Sequence, residues 1–147
     1  MSGMDAVDRS ILDVLRADSR TSIRDVAAQV GISRASAYAR VKKLVDTQVI
    51  RAFTIDVDHA ALGLGLSAYV HVRTKQNSWK SFREKVWQLE EAAHVALVTG
   101  DFDCVILVRA RDADHLRELV LERIQALPEV VATQTVLVFE EHVGGPS

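Results

Sequence analysis

One cysteine, Cys104, stands in 147 residues, so no internal disulfide can form and a reducing, cytosolic setting is the expectation. No apolar run approaches the roughly 20 residues that cross a bilayer. The first residues, Met1-Ser-Gly-Met-Asp-Ala-Val-Asp8, have neither the basic start nor the apolar middle of a signal peptide. The histidines, His59, His71, His94, His115 and His142, show no metal-ligand spacing such as H-x-x-x-H. No Ser-His-Asp or Cys-His pairing can be inferred, and Cys104 lies in an apolar run where a thiol serves as a small hydrophobe. No motif carries a catalytic mechanism and none asks for a cofactor, so the chain does not read as an enzyme. Net charge is also small, at −2, which alone would be a poor sign for a nucleic-acid binder.

The distribution of charge says more. Residues 1–60 hold nine Lys/Arg against eight Asp/Glu, and residues 61–147 hold nine against twelve. Within Ser33–Leu44 the cations Arg34, Arg40, Lys42 and Lys43 meet no acid at all. Positive charge gathered on one segment is what phosphate contact requires.

Helical periodicity surrounds that segment. Val7, Ile11, Leu12 and Leu15 predict a first helix over 5–17. Ser22 with Asp25 forms a capping-box-like start to a second helix, whose apolar face is Ile23, Val26, Ala27 and Val30. Gly31 sits where a left-handed cap is wanted, and Ser33 suits the N-cap of a third helix. On that helix Ala37, Val41 and Leu44 point inward, while Ala35, Ser36, Ala39, Lys42 and Lys43 point away at about 100° per residue. This is the pattern of a helix-turn-helix, a double-stranded DNA reader. Small residues let the third helix approach a major groove, Ser36 can bond a base edge or a phosphate, and the flanking cations suit phosphates. The DNA-facing set is Ser33, Arg34, Ala35, Ser36, Tyr38, Ala39, Arg40, Lys42 and Lys43. Arg40 has an alternative, an ion pair with an acid such as Asp25. Ile50–Val57 then alternates as a strand leaving this unit.

Beyond Gly63-Leu-Gly65 the pattern becomes strand 66–73, helix 78–89, strands 95–99 and 104–110, helix 112–127 ended by Pro128, and strand 130–139. The order βαββαβ is the ferredoxin-like arrangement, with both helices on one face of an antiparallel sheet. The other face is expected to be apolar as well. Val130, Ala132, Val136 and Val138 oppose Val131, Leu137 and Phe139, and Val105 and Leu107 oppose Cys104, Ile106 and Val108. A sheet apolar on both faces wants a cover, and a homodimer through this unit is the expectation. Cover by the N-terminal unit is the alternative. The turn Gly100-Asp-Phe-Asp103 is either a plain hairpin connection or a site where amides hold a carboxylate and Asp101 or Asp103 holds an ammonium, together the head of an amino acid. Thr133 and Thr135 could add hydroxyls.

These residues together resemble the Lrp/AsnC family of bacterial and archaeal transcription regulators. The resemblance rests on Asp8-Arg-Ser-Ile-Leu12, Arg20, Gly31-Ile-Ser33, Arg40-Val-Lys-Lys-Leu44 and Val49-Ile50. It continues through Gly63, Thr99-Gly-Asp-Phe-Asp103, Leu127-Pro128, Thr133-Gln-Thr135 and Glu140-Glu141. It implies an α+β protein with an N-terminal winged helix-turn-helix and a C-terminal ferredoxin-like βαββαβ effector domain. The corresponding boundaries are 1–50, a β-strand linker 51–64, and 65–147. It implies dimers able to assemble into tetramers or octamers on pseudo-palindromic operators, in the cytoplasm at the nucleoid. It further implies an amino-acid effector held between effector domains by Gly100, Asp101, Phe102, Asp103, Thr133, Thr135 and Val136. Two departures stand out. Gln48 occupies a position where the family usually has glycine, and Arg34 one where proline is frequent.

Two other classes remain as alternatives. Haem-modifying decarboxylases are similar in two-domain architecture, although no catalytic motif is visible here. A metal-sensing repressor could use the same helix-turn-helix, with Asp101, Asp103 and a nearby histidine as ligands.

Overall fold

The computed structural model describes residues 3–144, in two compact units. One is built from residues up to Asp56 together with those from His142, the other from Val57–Glu141.

In the first unit three helices, α1 (Ala6–Ala17), α2 (Ile23–Val30) and α3 (Arg34–Asp46), enclose Ile11, Leu15, Val26, Val41 and Leu44. Local chemistry sets their ends. Ser22 Oγ accepts from Asp25 N at 3.1 Å, and Ser33 Oγ accepts from Ser36 N at 3.1 Å. Gly31 closes α2 at φ +80°, a conformation that costs residues with a Cβ roughly 1 kcal/mol or more. The full capping box lies elsewhere than the sequence suggests. Asp8 N donates to Asp5 Oδ1 at 2.8 Å and Asp5 N donates to Asp8 Oδ2 at 3.2 Å, which starts α1 at Ala6 with Asp5 as its cap.

The strand expected over Ile50–Val57 does not form, and residues 51–58 carry no regular secondary structure. No hairpin wing follows α3 among the described residues. Alternation offers a segment for pairing, but a strand needs a hydrogen-bonded neighbour, and no described segment of this chain supplies one. Instead Ile50 packs onto the three-helix core and Ser19 Oγ donates to Thr54 O at 3.4 Å.

The departure at Gln48, where the resemblance expects glycine, has a conformational setting: Gln48 has φ +60°, in the left-handed region. Gln48→Gly is expected to stabilise the protein by about 1 kcal/mol, read as a raised denaturant midpoint at unchanged slope. A lower midpoint would show that the bond from Gln48 Nε2 to Val45 O, 3.2 Å, outweighs the strain.

The second unit is a four-stranded antiparallel sheet in the order β2-β3-β1-β4. Its strands are β1 (Leu66–Thr74), β2 (Ala92–Leu97), β3 (Cys104–Ala110) and β4 (Val130–Val138). Helix α4 (Trp79–Val86) and helix α5 (Ala113–Glu118), continued by a π-helical segment Leu119–Ile124, supply the layer above it. Phe82, Val86, Leu116, Leu119, Val120 and Ile124 share one core with Ala68, Val70, Val72, Cys104, Ile106 and Val108. The helix expected over 112–127 therefore runs unbroken from Ala113 to Ile124 but widens partway from α to π. The wider i→i+5 turns bring residues four apart, such as Leu116, Val120 and Ile124, closer to one face.

Two bulges shift what strict alternation predicts. Between Ala92 and His94 the pairing of β2 slips, and β2 begins at Ala92 rather than Val95. Between Arg73 and Thr74 the pairing of β4 slips. Val130 sits opposite Thr74 and packs into the core, instead of sharing a face with Ala132, Val136 and Val138. The uncovered face is mixed rather than wholly apolar. Directly paired residues share a face, which places Tyr69, Val105, Leu107, Val136 and Val138 there with Ser67, His71, Arg73, Arg109 and Gln134. Leu107 is buried, whereas Tyr69 and Val136 are exposed.

Candidate functional site

On α3 the inward residues are Ala37, Val41 and Leu44, all buried. The remaining face shows Arg34, Ala35, Tyr38, Ala39, Lys42 and Lys43 to solvent, with Ser33 at the cap and Ser36 half-buried beside it. The four cations are not equivalent. Arg40 does not pair with Asp25. Its Nη1 lies 2.7 and 2.9 Å from the two carboxylate oxygens of Asp5 and 2.9 Å from Asp8 Oδ1. Those bonds hold the Asp5 carboxyl below, and the Arg40 guanidinium above, their ordinary values. Lys42 Nζ meets Asp46 Oδ2 at 2.6 Å one turn on, which raises the Lys42 ammonium. The acid-free run of the sequence is therefore partly neutralised in space, by Asp46 just past its end and by acids in α1.

The Gly100–Asp103 turn joins β2 to β3 at one end of the sheet, with Gly100 at φ +113°. Its side chains part company. Phe102 stands edge-on to His71, ring centres 5.5 Å apart, and under the Arg73 guanidinium at 5.6 Å, on the uncovered face. Arg73 Nε also donates to Asp101 O at 2.9 Å. Asp103 is drawn back to β1, where its Oδ2 accepts from Thr74 N at 2.8 Å and from Thr74 Oγ1 at 3.3 Å. Beside it opens a cavity of about 380 Å³ lined by Thr74–Asn77, Trp79, Leu97, Val98 and Asp103.

The sheet separates the other expected effector residues. Thr133 and Thr135 pair with Val72 and Val70 on the helix-covered face, and Val136 pairs with Tyr69 on the opposite one. Thr133 Oγ1 already accepts from Gln125 Nε2 at 2.7 Å. Of the seven residues named from the sequence, Asp103 alone lines the cavity. The missed lining residues carried one local signal, the polar turn Lys75-Gln-Asn-Ser78 between strand and helix, where Asn77 adopts φ +63°.

Glu129 fastens that turn. Its backbone oxygen accepts from Lys75 N at 2.8 Å, and its buried carboxylate accepts from Lys85 Nζ and Ser81 Oγ, each at 2.6 Å. These bonds push the Glu129 carboxyl down to about 2. A depressed carboxyl stabilises the fold above its unfolded value and loses that contribution as pH falls through the folded one. Glu129→Gln is therefore expected to lower the melting temperature near neutral pH, with the gap to wild type closing between about pH 4.5 and pH 2. A gap independent of pH would assign the loss to packing rather than charge.

Burial and the neighbouring Asp103 charge push the Cys104 thiol up to about 11, which leaves it inert. Among the described residues no three His, Cys, Asp or Glu side chains converge as metal ligands, and no helix is long and apolar enough to cross a membrane.

Residues 4–45 match the model of the AsnC-type helix-turn-helix domain, and residues 67–147 that of the Lrp/AsnC ligand binding domain. The HTH-type transcriptional regulator AldR of Mycobacterium tuberculosis is 37% identical over 145 residues, covering 97% of this chain and 80% of that protein. Among solved structures, AsnC of E. coli superposes with a TM-score of 0.89 at 27% identity, over 97% of this chain and 96% of that one. A transcriptional regulator of Neisseria meningitidis in complex with L-Met superposes with a TM-score of 0.92 at 22% identity, over 97% and 94%.

Proposed function

Because the chain belongs to the Lrp/AsnC family of transcriptional regulators, we propose that it acts as a homodimer on a pseudo-palindromic operator at the nucleoid. Its occupancy there is set by an amino acid bound at the turn between β2 and β3. Two α3 helices, one from each protomer, enter successive major grooves. Ala35, Ser36, Tyr38 and Ala39 face base edges, and Ser33, Arg34, Lys42 and Lys43 face phosphates. The mixed uncovered face of the sheet, with Tyr69, Leu107 and Val136 at its middle, is the seam between protomers.

The observation that carries the effector reading is the cavity beside Asp103. One oxygen of that carboxylate is engaged by Thr74, and the other is left for an ammonium. Trp79, Leu97 and Val98 form an apolar wall next to it. A charged head beside an apolar wall suits an amino acid with an apolar side chain, the class to which the L-Met of the Neisseria structure belongs. The ligand thus centres on Asp103, and Thr133 and Thr135, which do not line the cavity, stand outside it. Phe102 on the uncovered face gives the same turn a path from ligand to protomer seam.

A thermal-shift screen against amino acids and their keto acids tests this. A ligand at a hundred times its Kd stabilises by about 2.7 kcal/mol. Asp103→Asn keeps an amide oxygen for Thr74 N and is expected to abolish the shift at the same concentration. An equal shift in both proteins would move the ligand away from Asp103, and no shift with any amino acid would sink the amino-acid reading.

A further inference from the structure

Arg40 stands in the acid-free run that marked α3 as the DNA-facing helix, yet three acceptor oxygens, two of the cap Asp5 and one of Asp8 in the first turn of α1, surround one of its guanidinium nitrogens. We infer that Arg40 is a positioning residue that seats α3 on the start of α1, and that it makes no phosphate contact. The inference rests on α3 being the helix that meets DNA.

Geometry comes first. Taking the mean Ala37–Val41–Leu44 direction as inward, Arg40 lies about 65° off it, whereas Ala35 and Ala39 lie about 160° away by helical period. Arg40 thus leaves α3 at the edge of its buried stripe, toward α1, and not from the centre of the outward face.

Connectivity comes second. Asp5 and Asp8 already bond each other's backbone amides in the capping box of α1. Arg40 bonds both of these carboxylates, so the first turn of α1 and the middle of α3 are parts of one polar cluster. Asp8 is only 6% exposed. A carboxylate that far from water needs a cation, and Arg40 is the one it has in this cluster. The guanidinium is accordingly held at a fixed place by a nearly buried partner. A loose surface pair would fix nothing.

Charge comes third. Two carboxylates against one guanidinium leave these three side chains with no net positive charge to offer a phosphate. The steering field of α3 falls instead to its other cations, among which Arg34 makes no ion pair with any described residue.

The two roles give opposite results when the acids are neutralised. Asp5→Asn/Asp8→Asn keeps capping-competent side chains, since Asn caps helices as well as Asp. The full-length protein and a duplex that wild type selects from a random-sequence pool provide the assay, with a scrambled duplex as the non-specific reference. As a positioning residue, Arg40 loses its anchor in the double variant. Specific affinity is then expected to fall relative to non-specific affinity by at least threefold, while far-UV circular dichroism shows the helices retained. Arg40→Gln is expected to lower the same ratio and leave the slope of log K against log salt unchanged. As a phosphate contact, Arg40 would be freed by the double variant, so both affinities would rise together and the ratio would stay put. Arg40→Gln would then reduce the salt slope by about one. A constant ratio in the double variant, or that loss of slope, overturns the inference. The α3 assignment has its own test in Ala39→Glu, whose failure would be seen in the absence of any loss of DNA binding.

Discussion

Ala39→Glu is expected to reduce operator affinity by about a hundredfold or more, with thermal stability close to wild type. Ala39 is exposed at the centre of the outward face of α3, and glutamate is a good helix former, so the fold has no reason to change. On DNA the same carboxylate would face the phosphates and base edges of a major groove. Like charges brought together at an interface cost several kcal/mol, and each 1.4 kcal/mol is about tenfold in affinity. Electrophoretic mobility shift at several salt concentrations checks it. Affinity within threefold of wild type would remove α3 from the groove.

Val136→Glu is expected to convert the proposed dimer to a monomer at micromolar concentration and to lower operator affinity by roughly 10²–10⁴-fold, the range by which two linked sites exceed one. Val136 sits opposite Tyr69 on the uncovered face and is 44% exposed in the single protomer. A glutamate there costs the isolated protomer little. At a closed protomer seam it buries an unpaired charge, which is strongly unfavourable. Light scattering reads the assembly and fluorescence anisotropy the affinity. A variant that remains dimeric would place the seam elsewhere and return the uncovered face to solvent.

Both variants act where the sequence was readable. The second and third helices were recognisable because each of their signals acts within a few residues. Ser22 and Ser33 bond amides three positions on, and Gly31 supplies the left-handed turn in place. The strands of the second unit were recognisable for the same reason, and Cys104–Ala110 has the expected bounds to the residue. The strand expected over Ile50–Val57 is absent because alternation reports a capacity to pair and says nothing about whether a neighbour is present. Val130 turns to the core, against strict alternation, because one bulge residue reverses every side chain beyond it. The expected effector residues come from one strand and a turn, and while alternation parts Thr133 and Thr135 from Val136, only the register of β4 against β1 shows which of them the helices cover.

The sequence by itself determined the family, the order of elements, the inward face of α3 and the position of the turn at Gly100–Asp103, because periodicity and capping are local. Tertiary structure alone decided what the charges do. Arg40 found its partners 32 and 35 residues upstream, Glu129 found Ser81 and Lys85 more than 40 residues away, and Asp103 found Thr74, 29 residues upstream at the end of the neighbouring strand. The reason is physical. A charge is visible in any sequence, but whether it meets a phosphate, a ligand or a carboxylate of its own chain depends on distances that only packing sets.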